Sequence, residues 1–175
     1  MPTRPHSRAV QPLNPVNWVF SPLAMCLGAS LLVALPIKLF GLQLPEPVFA
    51  MAPAFAWAVL RPSVLPPFAL TALGLFQDLL WGGPLGLWPL CLLVLYGLAF
   101  SVRRVLVAED FWALGAWYGA ISAVAFGAGL FLMTLKSGEI PSLVGIGLQF
   151  VATLVLFPLS WLLIDRFEDA GGRYR

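Results

Sequence analysis

Long stretches without a charged residue dominate this sequence and set the strictest limit on its fold. Four charge-free windows, residues 9–37, 79–102, 111–135 and 140–164, can each hold the roughly 20 helical residues that cross a bilayer. Only 10% of the 175 residues are charged and 60% are apolar, whereas about 25% of the residues in a soluble domain are charged. So few charges cannot cover a globule in water. We therefore expect an all-α integral membrane protein.

The region between residues 42 and 81 adds two shorter helices to these four. Pro62 disfavours helical geometry at Arg61, which predicts a corner there, and Pro66-Pro67 suits the first turn of the following helix. The chain then has six transmembrane helices, near residues 18–37, 45–60, 62–81, 85–102, 111–135 and 141–164. The predicted organisation is an amino-terminal tail (1–16), a six-helix transmembrane domain (17–166) and a carboxy-terminal tail (167–175).

The basic residues sort by side once six spans are drawn. All eight arginines fall on one side, and only Lys38 and Lys136 fall on the other. Because cytoplasmic loops carry an excess of cations, both termini are predicted to be cytoplasmic. The net charge of +2 is small, and the basic residues are not clustered with aromatic ones, so nucleic-acid binding is not expected.

Catalytic and metal-binding residue patterns are sparse in this chain. His6 is the only histidine and lies in the amino-terminal tail, and Cys26 and Cys91 lie within apolar runs as small hydrophobic residues. No carboxylate pair falls within a predicted span, and no glycine-rich phosphate loop follows a strand. We expect neither an enzyme nor a bound cofactor or metal.

Small residues and prolines predict how the helices pack. Gly115, Gly119, Ala123 and Gly127 recur at a spacing of four, which suits close helix–helix approach, and packing within the chain is preferred over a homodimer seam. In the second helix Ala50, Ala54 and Ala58 predict a similar stripe. Kinks or local breaks are expected at prolines within the spans, among them Pro22, Pro36, Pro53, Pro89 and Pro158.

Asp78 is the only charged residue predicted to lie inside a span, since the others fall in tails, loops or helix ends. An aspartate in the membrane is costly, so it needs a partner. The candidates are an ion pair with Lys38 or Lys136, hydrogen bonds from the amides of the Gly82-Gly83 turn, or capping of the next helix or turn. Thr71, Gly74 and Asp78 share one helix face, which should point into the bundle. Proton relay and substrate binding are the other roles open to Asp78.

The residues around Asp78 resemble the signature of the rod shape-determining protein MreD family. Arg61-Pro62 is followed by a leucine-rich helix that ends in Asp78-Leu79-Leu80, and then by Gly82, Pro84 and Gly86 in a Gly-x-Pro-Leu-Gly run. This motif covers about 30 residues, while chain length and span number are similar over nearly the whole sequence. The chain departs from the family pattern at Trp88, where relatives often carry a small polar residue, His or Asn.

The resemblance implies a multi-pass protein of the bacterial inner membrane, within the elongasome that organises peptidoglycan synthesis and cell shape. It implies a fold similar to the substrate-binding S-component of energy-coupling-factor (ECF) transporters. It also implies a direct partner, MreC, in an assembly with MreB, RodA and penicillin-binding protein 2. The expected role is a non-catalytic scaffold. A substrate-binding subunit of a vitamin-type transporter is the alternative, and an ion or proton pathway is a weaker third.

Overall fold

The computed structural model describes residues 15–34, 47–60, 63–137 and 142–162, and all regular structure in these ranges is helical. The helices are α1 (Pro15–Ala34), α2 (Met51–Leu60), α3 (Leu65–Trp81), α4 (Leu87–Ser101), α5 (Arg103–Leu106), α6 (Phe111–Ser137) and α7 (Leu143–Leu154). After a turn at 155–156 the chain is helical again to residue 162. The predicted all-α class is confirmed.

Two of these segments are long and apolar enough to cross a membrane, Phe111–Lys136 and Leu143–Leu162. Both segments are largely exposed. In an apolar stretch of 18 residues within each, only 28% and 17%, respectively, is buried by the rest of the chain. Large apolar side chains such as Phe131 and Val144 point outward. Soluble proteins rarely expose wide apolar surfaces, so such helices suit lipid or a membrane-embedded partner.

Helix α2 occupies the centre of the bundle. Every residue from Met51 to Val59 is buried, so the helix is enclosed on all sides. The predicted alanine stripe is therefore only part of the packing surface, because Ala52 and Ala56 are as buried as Ala54. Its ten residues rise about 15 Å, roughly half of the hydrocarbon thickness.

Polar side chains on α6 and α7 form hydrogen bonds that stabilise the residues just before α2. The Thr153 hydroxyl accepts a hydrogen bond from the Val48 N–H at 3.1 Å and donates one to the Gln149 carbonyl at 2.8 Å. The Tyr118 hydroxyl donates to the Thr153 carbonyl at 3.3 Å. Irregular backbone in an apolar interior needs such partners, and these contacts explain how a helix can start so deep in the bundle.

Most of the described prolines begin helices rather than bend them. Pro53 and Pro89 each lie third in their helix, where an N–H has no helical partner to lose, so neither interrupts the hydrogen bonds of a helix interior. Pro158 follows the break at 155–156, as expected for a local interruption. Pro22 does lie inside α1, and Pro36 lies outside the described residues.

Helices α2, α3 and α4 form a unit that has two distinct ends. A five-residue connection joins α3 to α4, so they run antiparallel, and the end where they meet is called the Asp78 end. At the other end, Arg103 lies two residues beyond α4 and bonds to the last two residues of α2, so α2 and α4 end together. We call this the Arg103 end. Helix α4 packs against α2, α3 and α6 and is the common neighbour that links them.

Candidate functional site

The Asp78 carboxylate caps the amino terminus of α4. Its Oδ2 accepts a hydrogen bond from the Gly86 N–H at 2.6 Å, and its Oδ1 accepts one from the Trp88 N–H at 3.1 Å. Asp78 is only 1% exposed. The partial positive charge at a helix amino terminus stabilises a buried carboxylate, which is how the chain accommodates this charge in an apolar bundle. Among the alternatives that the sequence left open, the structure shows capping of the next helix.

The first turn of α4 has no backbone donor left over. Gly86 and Trp88 donate to Asp78, the Leu87 N–H donates to the Pro84 carbonyl at 3.2 Å, and Pro89 has no N–H. Unpaired helix-end donors would be costly in an apolar environment. Residues of the motif therefore accept hydrogen bonds from all the backbone donors at this helix end.

The Gly82-Gly83 turn contacts the backbone of Asp78 and not its side chain. Both glycine N–H groups donate to the main-chain carbonyl of Asp78, that of Gly83 at 3.1 Å, so the predicted bonds to the carboxylate are absent. Gly82 and Gly86 have φ angles of 65° and 95°, a conformation that side chains disfavour. These two motif glycines let the chain reverse and bring α4 back onto Asp78.

Helices α3 and α4 are in close backbone contact at Gly74. A Cβ atom on Gly74 would lie 2.5 Å from the Cα of Pro89, which is far inside van der Waals contact. Gly74 and Asp78 are both buried, as the predicted inward-facing stripe requires, while Thr71 is half-buried and bonds to the Pro67 carbonyl of its own helix. The hairpin is thus fixed twice, by backbone contact at Gly74 and by the carboxylate at Asp78.

Gln77 is a buried polar side chain that sequence reasoning overlooked. It is fully buried, and neither its amide oxygen nor its amide nitrogen has a hydrogen-bond partner among the described residues. The Trp81 indole N–H, one turn further along α3, is likewise buried and unpaired there. An amide in this state costs free energy, because water would otherwise solvate it.

Arg103 was predicted only to mark membrane sidedness, yet it caps a helix. Its Nε donates to the Val59 carbonyl at 2.7 Å and one terminal nitrogen donates to the Leu60 carbonyl at 3.1 Å. These carbonyls belong to the last turn of α2, where a cation is favourable. The only signal in the sequence was that an arginine pair follows a predicted span. The other member of the pair, Arg104, is exposed in the structure.

Of the remaining predicted motif residues and ion-pair partners, Lys136 lies in the described part of the chain. Lys38, Arg61 and Pro62 lie outside the described residues. Lys136 lies at the end of α6 with an exposed side chain, and Asp78 is bonded to α4 amides instead. Lys136 lines a groove beside the motif turn together with Pro84 and Gly86.

The predicted small-residue row on α6 splits into two parts. A Cβ on Gly115 would lie 3.1 Å from the Phe157 ring, and one on Gly119 would lie 3.7 Å from the Leu154 side chain. Ala123 and Gly127 are exposed, and a Cβ on Gly127 would meet nothing within 4 Å. A glycine outside the row makes the tight contact of α6 with α4. It is Gly129, where a Cβ would lie 2.7 Å from the Cys91 sulfur.

Cys26 and Cys91 are buried free thiols, and the described residues contain no group of His, Cys, Asp and Glu arranged to hold a metal ion. The Cys26 thiol donates to the Phe49 carbonyl at 3.4 Å, so it packs against the residues just before α2.

No protein-family model, curated protein or solved structure matches the chain significantly.

Proposed function

We propose that this chain is a non-catalytic scaffold of the bacterial inner membrane that binds an MreC-type single-span partner within the elongasome. The observation that carries the proposal is the hydrogen bonding of the Asp78 carboxylate. Both carboxylate oxygens accept from the backbone of α4, so the charged residue of the motif builds the fold. A proton carrier or a substrate ligand needs contact with water or with a cavity, whereas Asp78 is only 1% exposed and does not line the groove beside the motif turn.

The motif that resembles the MreD signature acts as one architectural unit in this account. Asp78, Gly82, Pro84 and Gly86 each contribute to the same reversal between α3 and α4. A rigid hairpin presents fixed helix faces, which an adaptor needs because a transmembrane partner must find the same surface each time. The motif thus supports binding indirectly, by fixing the surfaces around it.

The proposal includes six transmembrane helices with both termini in the cytoplasm. The supporting observation is the placement of Arg103, which lies with the carboxyl ends of α2 and α4. Under this topology the Arg103 end faces the cytoplasm and the Asp78 end faces outward, as the positive-inside rule requires. The partner would dock on apolar helix surface that the chain leaves exposed, such as the faces of α6 and α7 that carry Phe131, Leu148 and Val151.

The alternative function, a substrate-binding subunit of a small-molecule transporter, has one observation in its favour. A groove of about 440 Å³ lies between the start of α4 and the end of α6. Its volume lies within the range of ligand pockets, but its lining is mostly leucine. Asp78, Trp81 and Trp88, which would supply polar and aromatic groups to such a cavity, are not among the residues that line it.

Purification in nanodiscs with co-purifying material separates the two functions. The chain is expressed with a single-span MreC-type protein, and the bound fraction is analysed for both protein and small molecules. We expect a stable complex with the single-span protein, and loss of rod shape with normal vitamin uptake when the chain is depleted. A tightly bound vitamin-like ligand with no retained protein partner would overturn the scaffold proposal.

A further inference from the structure

An apolar groove with a single cation at its edge lies at the Asp78 end. The motif turn and the start of α4 form one side of the groove, and the end of α6 forms the other. Its volume is about 440 Å³. The residues that line it are Pro84, Leu85, Gly86, Leu87, Leu90, Leu132, Leu135 and Lys136. Leu85 and Leu135 are each 67% exposed, so the groove opens to the surroundings of the bundle.

The residues that line the groove suit an amphipathic ligand. Five leucines provide apolar walls, and the Lys136 ammonium is the charged group among the described lining residues. The amino terminus of α4 offers no further binding group there, because Asp78 and Pro84 already accept from its free N–H donors. A ligand that fits has one apolar chain and one negative charge.

The position of Lys136 indicates where such a ligand would come from. Lys136 ends Phe111–Lys136, a segment long and apolar enough to cross the bilayer. A cation at the end of such a segment lies at the level of the lipid headgroups, and its aliphatic stem can extend along apolar surface. The leucines of the groove then face the hydrocarbon region just below.

We propose that the groove binds an anionic phospholipid, with one acyl chain along the leucines and the phosphate group at Lys136. Charge complementarity favours this occupant over a neutral lipid. A water-soluble substrate would require several converging polar groups, whereas the lining provides a single ammonium group. The proposal rests on the membrane location proposed above and not on the scaffold role, since it concerns the lipid around the protein.

Native mass spectrometry of the full chain, titrated with phosphatidylglycerol or phosphatidylcholine, tests this site. We expect the wild-type chain to retain phosphatidylglycerol about fivefold more tightly, the effect of one lysine close to an anionic group. Lys136→Ala should remove this preference, and Lys136→Arg should keep it. Arg104→Ala, an exposed cation at the other end of the bundle, is the matched control and should leave the preference unchanged.

A second variant separates the groove from a general effect of charge. Leu132→Trp fills the groove without altering any charge, so it should weaken the binding of phosphatidylglycerol by a similar factor. A thermal melt of each variant confirms that it is folded before lipid is added. Equal retention of both lipids by the wild-type chain would overturn the proposal, as would equal losses in Lys136→Ala and Arg104→Ala. Displacement of the bound lipid by a polar small molecule would also contradict it.

Discussion

The Asp78 end and the Arg103 end are each capped by a buried or half-buried charge, and the two charges have opposite signs. At the Asp78 end, a carboxylate that is 1% exposed accepts from the amino terminus of α4. At the Arg103 end, a half-buried guanidinium donates to the carbonyls that end α2. Each charge has the sign that complements the dipole of the helix it caps. In this bundle Asp78 and Arg103 therefore satisfy backbone groups at helix ends.

The two caps differ in how far apart their partners lie along the chain. Asp78 reaches Gly86 and Trp88, eight and ten residues away, within one helical hairpin. Arg103 reaches Val59, 44 residues away, and so joins two separate parts of the fold. We therefore expect a defect at the Asp78 end to loosen the α3–α4 hairpin, and a defect at the Arg103 end to loosen the attachment of α2.

Gly74→Ala should have the largest effect at the Asp78 end. The added methyl group meets the backbone of Pro89, which cannot turn aside as a flexible side chain could. We expect a loss of more than about 3 kcal/mol in the free energy of unfolding, measured by thermal melting in detergent. Gly97→Ala on α4 is the control, because a Cβ there meets nothing within 4 Å. Equal melting temperatures for the two variants would show that α3 and α4 are not in backbone contact.

Asp78→Ala should cost about 3 kcal/mol, since it removes two charge-assisted hydrogen bonds and leaves buried donors unpaired. Asp78→Asn should fall between it and the wild type, because an amide oxygen can keep one of the two contacts. Asp110→Ala is the matched comparison. Asp110 accepts from the Ala113 N–H at 3.2 Å in an exposed cap, so its loss should cost only about 1 kcal/mol. Equal losses at both aspartates would contradict the importance of burial.

Arg103→Ala should cost about 2 kcal/mol at the opposite end, because the carbonyls of Val59 and Leu60 lose their charged donor. Arg103→Lys should recover part of this stability, since an ammonium cannot reproduce the two parallel donors of a guanidinium. The exposed Arg104 provides the control, and Arg104→Ala should melt like the wild type. If both arginines proved equivalent, the cap of α2 would have no energetic role.

Gln77→Leu should have the smallest effect and the opposite sign. Since the amide is buried without a partner among the described residues, an apolar side chain of similar size should raise the stability by about 1 kcal/mol. Thermal melting measures the change. A lower melting temperature would reveal that the amide makes a hydrogen bond that the fold needs.

The positions of α4 and α6 and the motif turn were predictable from sequence, whereas most helix–helix contacts were not. Charge-free windows located α4 and α6 to within about two residues, because a bilayer admits little else. The reversal after Asp78 was evident from its glycines and proline. These signals are local, so they do not depend on which helices become neighbours.

The enclosure of α2 and the contacts of Gly129 and Arg103 were missed for a physical reason. Gly74 was predicted to face inward, but its contact with Pro89 was not predicted. In lipid the outside of a bundle is as apolar as its interior, so hydrophobic periodicity does not distinguish the buried face from the exposed one. The α6 row illustrates this, since Gly115 and Gly119 pack on other helices while Ala123 and Gly127 remain exposed. Close approach depends on the neighbouring helix, which spacing within one helix does not specify.

Hydrogen exchange at the motif turn, followed by NMR in nanodiscs, tests the capping role of Asp78 most directly. In the wild-type chain the amides of Gly82, Gly83, Gly86 and Trp88 should all be protected. In Asp78→Ala the amides of Gly86 and Trp88 should exchange faster, while those of Gly82 and Gly83 stay protected by the main-chain carbonyl of residue 78. Faster exchange at Gly82 and Gly83 alone, with Gly86 and Trp88 unchanged, would contradict the account.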